Sequence, residues 1–110
     1  VVSIPSDSAT SVFVLTNNGH VWASSNNGAS FLDVTPGTAC NSMAAGSGKV
    51  VMCGTNSGAL RSSDGGGSWV SAGIGLPNAF GVMVIDPSQP LNVFLGSYTA
   101  GIFRTTTGGL

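Results

Sequence analysis

Four aspartates (Asp7, Asp33, Asp64, Asp86), one histidine (His20), Lys49, Arg61, Arg104, Tyr98, Cys40 and Cys53 are the side chains of this 110-residue sequence best equipped for chemistry, and Glu is absent. Hydrolysis of a glycosidic bond by the usual route needs two carboxylates facing each other across a cleft, one holding a proton and one without. The local sequence gives these four acids other work. Asp64 lies in a Ser- and Gly-rich turn, Asp86 opens Asp86-Pro87-Ser88-Gln89-Pro90, Asp33 falls in an outer strand and Asp7 in a loop. Asp in such places caps its own backbone. His20 has no Gly-x-Ser-x-Gly elbow to serve. The stretch Ala45-Gly46-Ser47-Gly48-Lys49-Val50 fails as a phosphate loop, with Met43 at the place of the first Gly and Val50 at the place of the magnesium-binding Ser or Thr. One His and two separated Cys do not make a zinc site, and no calcium-loop spacing occurs. No catalytic residue, metal or cofactor is expected.

The charge balance narrows the partners. Charged residues make up 6% of the chain and the net charge is -1, so there is no basic surface for phosphates or anionic lipid. Nucleic acid is excluded on that ground. Mean hydropathy is positive, at +0.36, yet Gly, Ser, Asn or Pro interrupts every apolar run before the roughly 20 residues that span a bilayer. Membrane insertion is not expected. The sequence starts at Val1, which fits a removed leader or an excerpt of a longer chain. Cys40 and Cys53 flank a hairpin whose turn is read as Gly46-Ser47; if Ala45 faces Gly48, the same register sets Cys40 opposite Cys53. A cross-strand disulfide in an oxidising compartment is one reading, and two reduced buried thiols are the other.

The elements that position these residues repeat. His20-Val21-Trp22-Ala23-Ser24-Ser25-Asn26-Asn27-Gly28-Ala29-Ser30-Phe31 aligns with Gly58-Ala59-Leu60-Arg61-Ser62-Ser63-Asp64-Gly65-Gly66-Gly67-Ser68-Trp69 and with Gly101-Ile102-Phe103-Arg104-Thr105-Thr106-Thr107-Gly108-Gly109-Leu110. Ser24 and Ser62 are 38 residues apart, and Ser62 and Thr105 are 43 apart. That period is the length of a four-stranded propeller blade. Val2-Ser3-Ile4 and Phe13-Val14-Leu15 sit over Val82-Met83-Val84 and Val93-Phe94-Leu95, two blades on. Turns at Asn17-Asn18-Gly19, Asn56-Ser57-Gly58 and Thr99-Ala100-Gly101 separate second from third strands. The sequence therefore predicts an all-β chain of antiparallel blades: 1–38 as blade 1, 39–77 as blade 2 and 78–110 as three strands of a third.

Ser62-x-Asp64-x-Gly66-x-x-Trp69 resembles the Asp-box, or BNR repeat, of sialidase-like, xyloglucanase-like and sortilin-like propellers. Ser24, Asn26, Gly28 and Phe31 form a degenerate copy, and Thr105, Thr107 and Gly109 begin a third. The resemblance implies a structural turn between third and fourth strands, with the aromatic packed between blades. Trp69, Phe31, Trp22 and Phe103 are accordingly expected in the core. A sialidase site would need three convergent Arg, a Tyr activated by Glu, and an acid Asp. Two Arg at equivalent repeat positions and no Glu do not supply it.

Propellers close with roughly four to eight blades, so these repeats leave apolar faces to cover. The expectation is a non-catalytic, extracellular or cell-surface scaffold that partners itself, in a ring or filament. The alternatives are a glycan- or protein-binding module of a longer secreted protein, and an excerpt of a glycoside hydrolase propeller with its catalytic residues elsewhere.

Overall fold

The computed structural model describes residues 2–3, 10–72, 81–97 and 101–110, and among them there are eleven strands and no helix. The strands form three antiparallel sheets, each a simple meander. Sheet A runs β1 (Val2–Ser3), β2 (Val12–Leu15), β3 (Val21–Ser24) and β4 (Leu32–Asp33). Sheet B runs β5 (Ser42–Ala45), β6 (Val51–Thr55), β7 (Gly58–Ser62) and β8 (Val70–Ser71). Sheet C holds β9 (Val82–Ile85), β10 (Val93–Ser97) and β11 (Gly101–Thr105). The first strands of successive sheets lie side by side, β1 next to β5 and β5 next to β9. This is the arrangement of two complete propeller blades and three strands of a third.

Registers show why the sheets stack. Val12 pairs with Ser24 and Val14 with Trp22 in sheet A, Val51 with Ser62 and Cys53 with Leu60 in sheet B, Val93 with Thr105 and Leu95 with Phe103 in sheet C. Side chains directly opposite share a face, so each sheet has a rear face of three apolar residues and one hydroxyl. The other face follows the same rule: Phe13 pairs with Ala23, Met52 with Arg61 and Phe94 with Arg104. The front of sheet A and the rear of sheet B make one core, from Phe13, Leu15, Val21, Cys40, Met43, Val51 and Cys53, with Trp69 packed against it. The front of sheet B and the rear of sheet C make the other, from Ala44, Met52, Ala59, Met83, Ile85, Val93 and Leu95, with Phe103 against it. Burial removes apolar area worth roughly 25 cal/mol per Å², and here nearly all of it lies between sheets.

Two expectations need correction. The β5–β6 hairpin does not turn at Gly46-Ser47. Gly46 N–H donates to Val50 O at 2.8 Å, Gly48 and Lys49 take positive φ, and Ala45 faces Val51 rather than Gly48. The longer turn exists because two successive left-handed residues reverse the chain without splaying the strands. Cys53 consequently faces Met43. Cys40 is not its cross-strand partner and lies before β5, yet the two form a disulfide with a Cα separation of 5.7 Å, because Asn41 N–H donating to Gly54 O folds the chain back over β6. The second correction concerns Phe31, which is 39% exposed rather than core. Trp69 reaches back to Val34 beside sheet A and packs against the core there, whereas Phe31, at the equivalent place on sheet A, joins neither core cluster among the described residues. Of the sequence-predicted features, Asp7, Tyr98, Ile4, Thr99 and Ala100 lie outside the described residues.

Candidate functional site

Each sheet hands its third strand to the fourth, or toward it, through one hydrogen-bonded turn. In sheet B the Ser62 hydroxyl is the hub: it accepts from Asp64 N–H at 3.3 Å and Gly66 N–H at 2.8 Å, and donates to Asp64 Oδ1 at 2.7 Å. Asp64 accepts in turn from Ser68 N–H at 2.9 Å and Ser68 Oγ at 2.7 Å. Sheet A repeats the network with Ser24, Asn26 and Ser30: Ser24 Oγ takes Gly28 N–H at 2.9 Å, and Asn26 Oδ1 takes Ser30 N–H at 2.9 Å. In sheet C, Thr105 Oγ1 accepts from Thr107 and Gly109 N–H, and lies 3.1 Å from Thr107 Oγ1. The sequence pattern pointed to the Asp or Asn as the acceptor for its turn. It missed that the first hydroxyl gathers two of the backbone donors, although a hydroxyl at all three positions was the available signal.

A second bond latches each turn to its own sheet. Asn27 N–H donates to Thr10 O, Gly65 N–H to Lys49 O and Gly108 N–H to Leu91 O, all at 2.8–2.9 Å, and the three carbonyls occupy the same place two residues before the second strand. The glycine that follows makes contact between sheets. Gly66, at φ 96°, would bring a Cβ to 2.7 Å from Val34, and Gly109, at φ 77°, would bring one to 1.7 Å from Ala72 O. Val34 and Ala72 are themselves repeat equivalents, each donating its N–H to the third strand of its sheet, at Val21 O and Ala59 O. Among the described residues, Gly28, whose position is equivalent, has only the tip of Phe31 within 4 Å.

Trp69 completes the sheet B turn, and its indole N–H donates to Val34 O at 2.9 Å. It also borders a cavity of about 660 Å³ with Asp33, Thr35, Pro36, Leu60, and Gly66. A neighbouring cavity of about 440 Å³ shares Asp33, Thr35 and Pro36 and adds His20. Between them Asp33 Oδ2 lies 2.8 Å from His20 Nδ1, and Oδ1 accepts from Thr35 N–H at 3.0 Å and from the Thr35 hydroxyl. The sequence placed Asp33 in an outer strand and His20 beside a turn. Their meeting depends on β3–β4 pairing across 13 residues, which no spacing rule signals.

The ionised form of three of these carboxylates is favoured by hydrogen bonds. Hydrogen bonds from Thr35 hold Asp33 at a pKa of about 2, with His20 assisting. Bonds from Ser62 and Ser68 hold Asp64 at about 2, and those from Ser88 lower Asp86. A general acid must keep its proton near working pH, and all three shift the opposite way. Arg61 is buried and its pKa is lowered by that burial; its Nη1 donates to Pro90 O at 3.2 Å, in the loop between β9 and β10. Arg104 lies over the Phe94 ring, 5.8 Å from its centroid. The two Arg do not converge on one ligand. Among the described residues no group of three or more His, Cys, Asp or Glu could hold a metal.

No protein-family model matches this chain, and no curated protein matches it. Solved structures do. The GH74 enzyme of Niastella koreensis matches with a TM-score of 0.77 and 21% identity over 99% of this chain and 21% of its own. The GH74 xyloglucanase of Xanthomonas campestris matches with a TM-score of 0.76 and 13% identity over 99% of this chain and 22% of its own. An ancestral GH74 enzyme matches with a TM-score of 0.72 and 21% identity over 100% of this chain and 17% of its own. The chain thus spans about a fifth of the length of the structures it matches. At these identities the common property is the propeller-type fold.

Proposed function

We propose that these sheets are consecutive blades of a glycoside hydrolase propeller, acting as the frame of a polysaccharide-binding cleft whose acid and base are supplied by other residues. The observation that carries this reading is the match of 99% of the chain to GH74 propellers at TM-scores of 0.76 and 0.77. It displaces the self-assembling scaffold as the main reading of function. The turns at Ser24, Ser62 and Thr105 are read here as Asp-boxes, supported by a shared hydroxyl-centred network. The lowered pKa values of Asp33, Asp64 and Asp86 support a structural role for the acids of this segment. The groove where Trp69, Asp33 and His20 converge offers an aromatic edge and hydrogen-bonding groups to sugar hydroxyls. Extracellular location is part of the same proposal, supported by the Cys40–Cys53 disulfide.

Incubating xyloglucan with the native polypeptide that contains these blades should release new reducing ends, while the 110-residue chain alone releases none. The Asp33→Asn, Asp64→Asn and Asp86→Asn variants of the native polypeptide should keep turnover. Absence of hydrolysis of xyloglucan and of other β-glucans by the native polypeptide would overturn the reading. Loss of turnover in any one Asn variant that still folds would instead place chemistry within these blades.

A further inference from the structure

The groove beside Trp69 is walled by the two four-stranded sheets. The chain leaving β4 forms one wall through Asp33, Thr35 and Gly37, and Leu60, Gly66 and Trp69 of sheet B form the other. Trp69 is half-buried, packed against the core between the sheets and held by its bond to Val34 O, so the groove borders a fixed aromatic ring. The second cavity continues it past Asp33, Thr35 and Gly37 to His20. At about 660 and 440 Å³, both lie within the roughly 300–1,000 Å³ of small-molecule sites. Their polar lining is not a demand of the repeat. With Ser24 aligned on Ser62, Asp33 falls at Ser71 and Thr35 at Gly73. Sheet B thus forms its outer strand with no carboxylate at the first place and no side chain at the second.

The bonds within this lining decide what it can hold. Asp33 Oδ1 accepts from the N–H and the hydroxyl of Thr35, and Oδ2 lies 2.8 Å from His20 Nδ1. An ionised carboxylate has about four lone-pair sites and donates nothing, so among the described residues one site on Oδ2 stays open. An imidazole that donates Nδ1–H to this carboxylate presents Nε2 as a second acceptor. Among the described residues neither cavity is lined by Lys or Arg. A fitting ligand must therefore bring hydrogen-bond donors, carry no negative charge and lay an apolar face on Trp69 and Leu60. A neutral sugar chain does all three, since its pyranose rings are apolar across their C–H faces and rimmed with hydroxyl groups. An acidic glycan would set a second carboxylate against Asp33, and like charges repel. We propose that this groove is a non-catalytic hold for a neutral polysaccharide, which turns acidic glycans away through Asp33. The inference deepens the polysaccharide reading above and rests on it for the class of polymer.

Affinity electrophoresis of the native polypeptide that contains these blades, in gels carrying xyloglucan or polygalacturonate and relative to a plain gel, tests it. The expected result is retardation by xyloglucan and free migration in polygalacturonate. Gly37→Phe places a ring where the two cavities meet. A Cβ on Gly37 meets nothing within 4 Å and its φ lies outside the left-handed region, so the variant should fold, and its affinity for xyloglucan should fall about tenfold or more through the clash. Gly37→Leu serves if the Phe variant fails to fold, circular dichroism being the check. Asp33→Asn keeps an oxygen and drops the charge, so it should narrow the preference for xyloglucan over polygalacturonate roughly threefold or more. Equal retardation by the two polymers, unchanged xyloglucan affinity in the folded Gly37 variants, or a preference untouched by Asp33→Asn would each overturn the proposal. A native polypeptide that hydrolyses no glucan yet loses xyloglucan binding in Gly37→Phe would end the hydrolase reading and leave this hold standing. Turnover with unchanged retardation in that variant would do the reverse.

Discussion

At the scale of single residues, the turns show one geometry built from different side chains. Asn26 Oδ1 accepts from the Ser24 hydroxyl and Ser30 N–H as Asp64 Oδ1 accepts from the Ser62 hydroxyl and Ser68 N–H. The last bond is kept with its direction reversed, Asn26 Nδ2 donating to Ser30 Oγ where Ser68 Oγ donates to Asp64 Oδ2. Asp64→Asn should therefore be close to neutral at pH 7. The two differ in acid. Asp64 has its pKa lowered from 3.8 to about 2, so its stabilising contribution is present above about pH 4 and is lost as pH falls toward 2. Melting temperatures measured between pH 7 and pH 2 should fall less steeply below pH 4 in the Asn variant than in the parent, Asp33 and Asp86 supplying the remaining slope. Equal slopes would mean that the Ser62 and Ser68 bonds do not favour the carboxylate. Trp69 and His20 make a second contrast. Trp69 packs against the core between sheets A and B and bonds Val34, so Trp69→Ala should cost about 3 kcal/mol. His20→Ala removes one partner of an exposed pair and leaves Asp33 bonded to Thr35, which should cost under about 1 kcal/mol. Chemical denaturation of both variants decides it.

At the scale of elements, what joins one blade to the next is a glycine as much as a hydrophobic face. Gly66 meets two demands: a left-handed φ and the absence of a Cβ against Val34. Gly28 meets only the first among the described residues. Gly28→Ala should thus cost the backbone penalty alone, about 1 kcal/mol, and Gly66→Ala that penalty plus roughly 1–3 kcal/mol of overpacking. Denaturant midpoints for the pair measure the difference, and equal losses would show that Val34 yields without cost. The same comparison separates what was legible in sequence. Both glycines stood out as motif positions because their spacing repeats, but the repeat alone treats them as equals. Their inequality comes from sheet A lying behind one of them.

At the scale of the whole molecule, the disulfide joins the loop before β5 to the middle of β6, and Cys40 N–H donates to Gly19 O in the β2–β3 turn of sheet A. It therefore secures the core between sheets A and B rather than a hairpin alone. Closing a loop of 13 residues constrains the unfolded chain by on the order of 3 kcal/mol. Reduction should lower the denaturation midpoint accordingly, and alkylation before and after reduction, read by mass, should show both thiols blocked only after reduction. Labelling of either Cys in the folded, unreduced chain would contradict the bond.

Sequence by itself determined the blade period, the short apolar runs of β2, β6 and β10, and the hydroxyl-x-Asp/Asn-x-Gly turns, because each is a local pattern tied to a backbone geometry that a few neighbouring residues fix. The absence of Glu and the turn contexts of Asp64 and Asp86 are why the local sequence led to no acid–base pair being expected. Tertiary structure decided everything that depends on which sheet stands behind a residue. Ala59 and Ile102 hold the same repeat position, one sealed and the other in water, and Arg61 and Arg104 face a neighbouring carbonyl and their own sheet's Phe94 respectively. His20 meets Asp33, and Cys40 meets Cys53 outside the expected register, only after strands distant in sequence have paired. A repeat specifies a side chain's direction from its own sheet; burial, partner and ionisation are set by the neighbouring surface, which local periodicity does not encode.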